Sequence, residues 1–209
     1  MHYLSLFFSA LAGCGLGYLL LTFWSIRHYR RAASEGDTSF SPPVSILKPL
    51  KGADPQMYES FRSHCLQDYP SEYELIFGVN DLSDPAVADV ERLKEEFPDR
   101  AIRVVVCPSL GGTNRKVTNL VQMAREARFE HIIINDSDIR VPRDYLRNVL
   151  SFFADKRVGM VTALYRGVPG GGIWSRLEAM IIADFAAGIL SAQVVDRGIH
   201  FALGSTLAI

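Results

Sequence analysis

The sequence predicts an α/β domain with a mostly parallel sheet, preceded by one N-terminal transmembrane helix. Three observations predict it. From Val44 onward, short β-branched runs alternate with helical stretches, the pattern of βαβ units. Polar motifs stand just after several of those runs, where ligands bind in such sheets. Tyr3 to Ile26 contains no charged side chain, and as a helix it is long enough to cross the roughly 30 Å hydrocarbon core.

The membrane segment comes first. Tyr3 and Trp24 stand where interfacial aromatics belong, and Arg27, His28, Arg30 and Arg31 follow at once. The positive-inside rule makes that end cytoplasmic and the N-terminus external. Gly13 and Gly17 form a G-x-x-x-G pair suited to close helix packing, although small residues are ordinary in membrane helices. Leu11-Ala12-Gly13-Cys14 resembles a lipoprotein cleavage box, but the apolar run continues past Cys14 and the basic cluster follows it. A retained single-pass anchor in the inner (plasma) membrane is therefore the expectation, with the soluble part cytoplasmic. The expected organisation is an anchor at 3–26, a basic juxtamembrane segment and linker at 27–43, and an α/β domain at 44–209.

Composition narrows the partners. The chain has 209 residues, 48% of them apolar, and a formal net charge of −1. Bulk attraction to nucleic acid is not expected from so small a charge. Cys14, Cys65 and Cys107 are an odd, scattered set, which fits a reduced compartment and not a disulfide framework. No His or Cys spacing suits zinc.

The elements follow in order. Ala32–Pro43 is small, polar and Pro-terminated, so it reads as a linker. Val44–Leu47 is a strand. Pro55–Gln67 is a helix with Asp54 as N-cap and Pro55 at its first position. Tyr73–Val79 is a strand, Pro85–Phe97 a helix opened by Asp84, and Ile102–Cys107 a strand. Asn114–Arg128 is a helix with Val117, Leu120, Val121 and Ala124 on one stripe. His131–Asn135 is a buried strand, Pro142–Ala154 a helix and Val158–Ala163 a strand. Arg166–Gly172 (RGVPGGG) is a flexible loop. Ile173–Val195 is long and apolar but carries Arg176, Glu178 and Asp184. A centrally placed Asp is expensive in a bilayer, so a core or interface helix is the expectation, with membrane contact near a lipid entrance the alternative. Phe201–Ile209 looks like a strand.

Asn135-Asp136-Ser137-Asp138 is the strongest motif. In an extended segment residues i and i+2 project to one side, so Asp136 and Asp138 can present two carboxylates to one hard cation. Mg²⁺ or Mn²⁺ commonly bridges such carboxylates to substrate phosphates. For a lone D-x-D, an Asx turn capping the next helix is the plainer reading; the apolar strand before it and the companion motifs favour a site. Asn80–Pro85 (NDLSDP) also follows a strand. Either Asp81 faces a ligand and Asp84 the helix, or the reverse. Lys48-Pro49-Leu50 with Lys51-Gly52 can line a nucleotide pocket or be a solvated loop. Gly111–Lys116 (GGTNRK) opens a helix and can bind anions, but it is not a Walker loop.

Together these motifs resemble the ceramide glucosyltransferase-like family, which has the GT-A glycosyltransferase fold. The matching segments are Val44–Asp54, Asp68-Tyr69-Pro70, Val79–Pro85, Asn114–Leu120 and Ile134–Val141. They stand in the family's order and spacing behind the same kind of N-terminal helix, and the hopanoid-biosynthesis branch of the family is the nearest in pattern. The resemblance implies transfer of glucose or N-acetylglucosamine from a UDP-sugar to a lipid hydroxyl (hopanoid or ceramide-like), with inversion. It implies that Asp84 matches the first conserved Asp, that Asp136 matches the second, on the donor and metal, and that Lys116 matches a basic position near the nucleotide. Lys48, Pro49, Leu50, Asp81, Asp84, Lys116, Asp136, Ser137 and Asp138 are the expected donor-binding residues, with Mg²⁺ or Mn²⁺ on Asp136 and Asp138.

One departure matters. The family's general-base Asp, in an E-D pair, and its Q-x-x-R-W motif do not occur by Ile209. Glu178, Asp184 and Asp196 lack that context and read as helix or surface residues. The chain thus reads as the N-terminal portion of the fold, keeping donor-site residues while the base is expected beyond Ile209. Two rivals stand: a nucleotidyltransferase of similar fold, and a non-catalytic membrane-tethered binding module. Sugar, acceptor and oligomeric state are not readable from these residues.

Overall fold

The computed structural model describes residues 2–33, 35–54, 56–108, 114–196, 198 and 201–209. Chain order is α1 (His2–Ala32), β1 (Val44–Pro49), α2 (Met57–Cys65), β2 (Tyr73–Val79), α3 (Ala86–Glu96), β3 (Ala101–Val106), α4 (Arg115–Arg125), β4 (His131–Asn135), α5 (Tyr145–Leu150) with a 3₁₀ turn at Ser151–Ala154, β5 (Val161–Thr162), α6 (Gly172–Val195) and β6 (Thr206–Ala208). Two compact units form: residues 1–35 with 164–201, and residues 36–163 with 202–209. The sequence groups 164–201 with the sheet domain; in the structure they cluster with the N-terminal helix.

The second unit is built on one sheet in the order β3-β2-β1-β4-β6-β5. β1, β2, β3 and β4 are parallel, while β6 is antiparallel to both β4 and β5. The strand period of two sorts the side chains. Val44, Ile46, Leu75, Phe77 and Ile133 join α2, α3 and α5 in one core. Leu47 and Ile76 point the other way and meet Met123 of α4. A Cβ at Gly78 would collide with the Met123 thioether, so glycine there lets α4 approach β2 closely. Phe61 and Phe77 rings lie 4.6 Å apart in the larger core.

Several boundaries differ from the sequence reading, each for a local reason. β1 runs on through Lys48 to Pro49, which pairs with Gly78; a proline lacking its N–H is tolerated at a strand end. Helix α2 starts at Met57 behind Gln56, with no side-chain cap bond, so Asp54 is not its N-cap; Met57 N–H is held by the Asp54 carbonyl at 3.0 Å. Pro55 lies outside the described residues. Helix α4 buries Asn119 and Met123, while Val117 and Val121 are exposed. The stripe is thus shifted from the one expected. The helix predicted at 142–154 is compressed into α5 and its 3₁₀ turn, and the last parallel-type run shrinks to Val161–Thr162.

The first unit contains α1 and α6. Helix α1 continues through the basic cluster and ends with Arg30 and Arg31 in its last turn, where cations complement the helix dipole. Hydroxyls on both helices return to their own backbone: Thr22 donates to Tyr18 O, Ser25 to Leu21 O and Ser191 to Ala187 O. Thr22 and Ser191 hydroxyls also approach each other at 3.4 Å. Helix α6 is not a core helix. Only Ile189, Leu190 and Ser191 are buried among its residues, and Trp174 is 80% exposed. Its apolar residues run round the helix, so no single protein-facing stripe defines it.

Candidate functional site

The strand order reverses direction between β1 and β4: the chain runs β1, β2, β3 outward and returns to place β4 on β1's other side. In parallel α/β sheets the crevice at this switch point, past the strands' carboxyl ends, is the ligand site. Asp136-Ser137-Asp138 leaves β4 at that point, and Lys48 and Pro49 end β1 beside it.

Asp136 is the hub. Its carboxylate Oδ1 pairs with the Lys116 ammonium from the first turn of α4, and both side chains reach solvent, at 35% and 44% exposure respectively. Asn114 caps that helix, accepting Val117 N–H at 3.2 Å. Arg115 and Lys116 therefore sit at the positive end of a helix dipole, a placement unfavourable for cations unless an anion offsets it. Gly111–Thr113 of the same motif lie outside the described residues. Asp138 is exposed and Ser137 half-buried.

Lys48 differs from its expected place. It is fully buried, because β1 extends past it, and its Nζ donates to the Asp136 carbonyl oxygen at 2.8 Å. Burial draws the ammonium down to about 7, against the attraction of Asp136 and Asp138. Leu50 is also in the core. Neither side chain lines an open nucleotide pocket; Pro49 is half-buried between them.

Asp84 is the member of NDLSDP that holds the start of the helix. Its carboxylate accepts Gly52 N–H at 3.1 Å and Ala86 N–H at 3.0 Å, so it ties the β1 loop to the start of α3. Gly52 has φ 71, which favours glycine at this knot. Asp81 is exposed and accepts Ser83 N–H at 2.7 Å. The Ser83 hydrogen bonds hold its carboxyl below the usual range. Asn80 accepts from Asn119 at 3.0 Å, joining β2's end to α4.

A buried network beneath the site has no sequence signature. Asn135 donates to Ser205 O at 3.1 Å and to Thr206 Oγ1 at 2.9 Å, and accepts Tyr145 OH at 3.1 Å. His64 of α2 reaches the same Asn135 Oδ1 at 3.2 Å and Ser60 O at 2.9 Å. A lone histidine in a helix of mixed polarity gives no hint of this. Burial, with repulsion from Lys48, pushes His64 down to about 3. The folded state therefore binds fewer protons here than the unfolded one, whose histidine titrates near 6.5. Stability is complete above that value and falls as the pH drops toward 3. Between pH 7.5 and 5 the loss attributable to His64 is about 2 kcal/mol. Thermal melts at the two pH values check it: His64→Gln flattens the decline, and an unchanged decline contradicts the assignment.

The donor set suits one kind of metal. Among the described residues no group of three or more His, Cys, Asp or Glu could hold an ion. Two carboxylates facing solvent fit Mg²⁺ or Mn²⁺ shared with substrate phosphates, and do not fit an all-protein cage.

The model of glycosyl transferase family 21 matches residues 6–209. The chain belongs to this family. The family 21 chain is 30% identical over 139 residues to ceramide glucosyltransferase 3 of Caenorhabditis elegans, a match covering 66% of this chain and 30% of that protein. It is 27% identical over 162 residues to ceramide glucosyltransferase 1 of the same organism, covering 74% and 34%. It thus spans about a third of the length of the curated relatives it matches. Among solved structures, a mannosyltransferase from Pyrobaculum calidifontis in complex with GDP-Man and Mn²⁺ superposes with TM-score 0.64 at 21% identity, over 93% of this chain and 54% of that one. The family 21 chain has the GT-A-like α/β fold expected of it, with an N-terminal apolar helix.

Proposed function

We propose that this chain is the donor-binding part of a membrane glycosyltransferase that moves a hexose from a UDP-sugar to a lipid hydroxyl with inversion. The observation that carries the reading is the Asp136–Asp138 turn at the β1/β4 switch point, facing Lys116. Asp136 and Asp138 would hold Mg²⁺ or Mn²⁺, which supplies charge neutralisation at a departing diphosphate. Lys116 and the amino end of α4 would add positive potential for the same diphosphate. Asp84 keeps the β1 loop against α3, shaping the nucleoside side of the crevice, while exposed Asp81, held on Ser83, would present its carboxylate to ribose or base. Pro49 and Ser137 border the crevice, and Lys48 and Leu50 support it from below. The ceramide glucosyltransferase relatives support glucose as the sugar and a ceramide-like acceptor; N-acetylglucosamine and a hopanoid-like acceptor are the alternatives.

Membrane attachment is part of the same reading. In α1, Leu4, Phe7, Leu20 and Phe23 are all more than half exposed, and the basic cluster at its carboxyl end supports a cytoplasmic position, at the plasma membrane, for that end and the sheet domain. Helix α6 is long and apolar enough to be a second membrane candidate. Ile173, Trp174, Met180, Ile181 and Phe185 are exposed along it, and apolar surface of this extent needs a covering phase. The expected result is strong quenching of Trp174 fluorescence by brominated lipid in nanodiscs, read in a Trp24→Phe background; absence of quenching contradicts membrane contact by α6.

The test of the function is transfer. Membranes carrying the full chain are given UDP-glucose or UDP-N-acetylglucosamine with ceramide or hopanoid alcohols, and lipid products are read by mass spectrometry. Hexosylated lipid with release of UDP supports the reading. Formation of a nucleotide-sugar from UTP and sugar phosphate supports the nucleotidyltransferase instead, and no product together with no binding of either UDP-sugar contradicts the donor-site reading.

A further inference from the structure

Lys48 is a charged side chain in a place where charge is expensive. It lies in the central strand β1, fully buried, and burying an ammonium is unfavourable unless its surroundings compensate it. The compensation comes from one turn. Nζ donates to the Asp136 carbonyl at 2.8 Å, and the Asp136 and Asp138 carboxylates attract the charge. The residue just before the turn is held as well: Asn135 is fully buried and bonded to Ser205, Thr206, Tyr145 and His64. The strand end is thus pinned through Asn135, and the first residue of the turn through Lys48. A metal-bearing carboxylate depends on such support for its orientation.

We propose that Lys48 is a positioning residue: its ammonium, seated on the Asp136 carbonyl beneath the turn, fixes the Asp136 and Asp138 carboxylates in the direction that receives the nucleotide and its metal. This inference rests on the donor-site reading above.

The opposing effect has the opposite sign, which makes the inference testable. A buried cation also repels a divalent metal. If Lys48 acted only through its field, removing the charge would tighten metal binding. If it acts by positioning, removal weakens binding. A merely structural lysine would lower the melting temperature and leave the affinity of the folded chain unchanged. Lys48→Met leaves the Asp136 carbonyl without its lysine donor, and removing one partner of a buried polar contact is destabilising, so the melting temperature falls in either case and the affinity of the folded chain decides.

The experiment is calorimetric titration of Mn²⁺ in saturating UDP, with melting curves, on the full chain in nanodiscs. The expected result is at least ten-fold weaker Mn²⁺ binding by folded Lys48→Met, read below its melting temperature. Lys48→Arg keeps the charge and displaces the carbonyl, and the same loss is expected; it serves as the deciding variant if Lys48→Met does not fold. Affinity within two-fold of the unmodified chain in a folded variant, or tighter binding by Lys48→Met, overturns the positioning role while leaving the donor site intact. Failure of the unmodified chain to bind Mn²⁺ in UDP overturns the donor-site reading and this inference together.

Discussion

Asp136→Ala is expected to abolish metal-dependent nucleotide binding, lowering affinity for Mn²⁺ in the presence of UDP by at least about 100-fold. The size follows from the ligand set. Among the described residues no third protein ligand lies within reach, so one of only two carboxylates is removed, and a hard divalent ion held by so few protein oxygens depends strongly on each. The substitution also strands Lys116, whose ammonium pairs with Asp136. The fold should survive, since the Asp136 side chain is partly exposed and its structural bond to Lys48 runs through the backbone. Mn²⁺ electron paramagnetic resonance with UDP present measures the bound fraction. Retention of bound Mn²⁺ by the variant contradicts the ligand assignment. Asp138→Ala should show a smaller loss, because Asp138 is the more exposed of the two.

Phe77→Ala should be the most damaging change to stability, at about 3–5 kcal/mol. Phe77 is wholly buried in β2, and its ring lies 4.6 Å from Phe61 of α2. Removing it opens a cavity between sheet and helix in the larger core, where close packing leaves little room to collapse. Because α2 carries His64 and hence touches Asn135, the damage should extend to the strand end that presents Asp136. Thermal denaturation of the variant reads the loss; a melting temperature within a degree or two of the unmodified chain would show that this layer is not the principal core.

Much of the fold is legible because its strands are dense in β-branched and aromatic residues. Tyr73–Val79 and His131–Asn135 begin and end where their apolar runs do. β1 was harder to bound because Lys48-Pro49 looks like the start of a loop, whereas pairing with Gly78 carries the strand to Pro49. That two-residue extension changes the chemistry: it converts Lys48 from a solvated loop cation into a buried support. The D-x-D turn is legible because carboxylates two apart follow an apolar strand. Its supporting shell is not, since His64, Asn135, Tyr145 and Thr206 come from distant parts of the chain and meet only through the sheet. Asp84 illustrates a half-legible case. Its bond to Ala86 N–H is local and expected of a residue opening a helix, but its grip on Gly52 depends on the pairing of β1 with β2. Helix α6 misled through its charges. Arg176, Glu178 and Asp184 suggest a protein setting, yet the helix leaves most of its apolar surface uncovered.

The most direct test of the central claim is titration of the unmodified full chain with UDP, once in Mn²⁺ and once with the metal chelated. One UDP bound per chain is expected in Mn²⁺, with affinity at least ten-fold weaker on chelation. Equal affinity with and without metal would contradict a donor site built on Asp136 and Asp138.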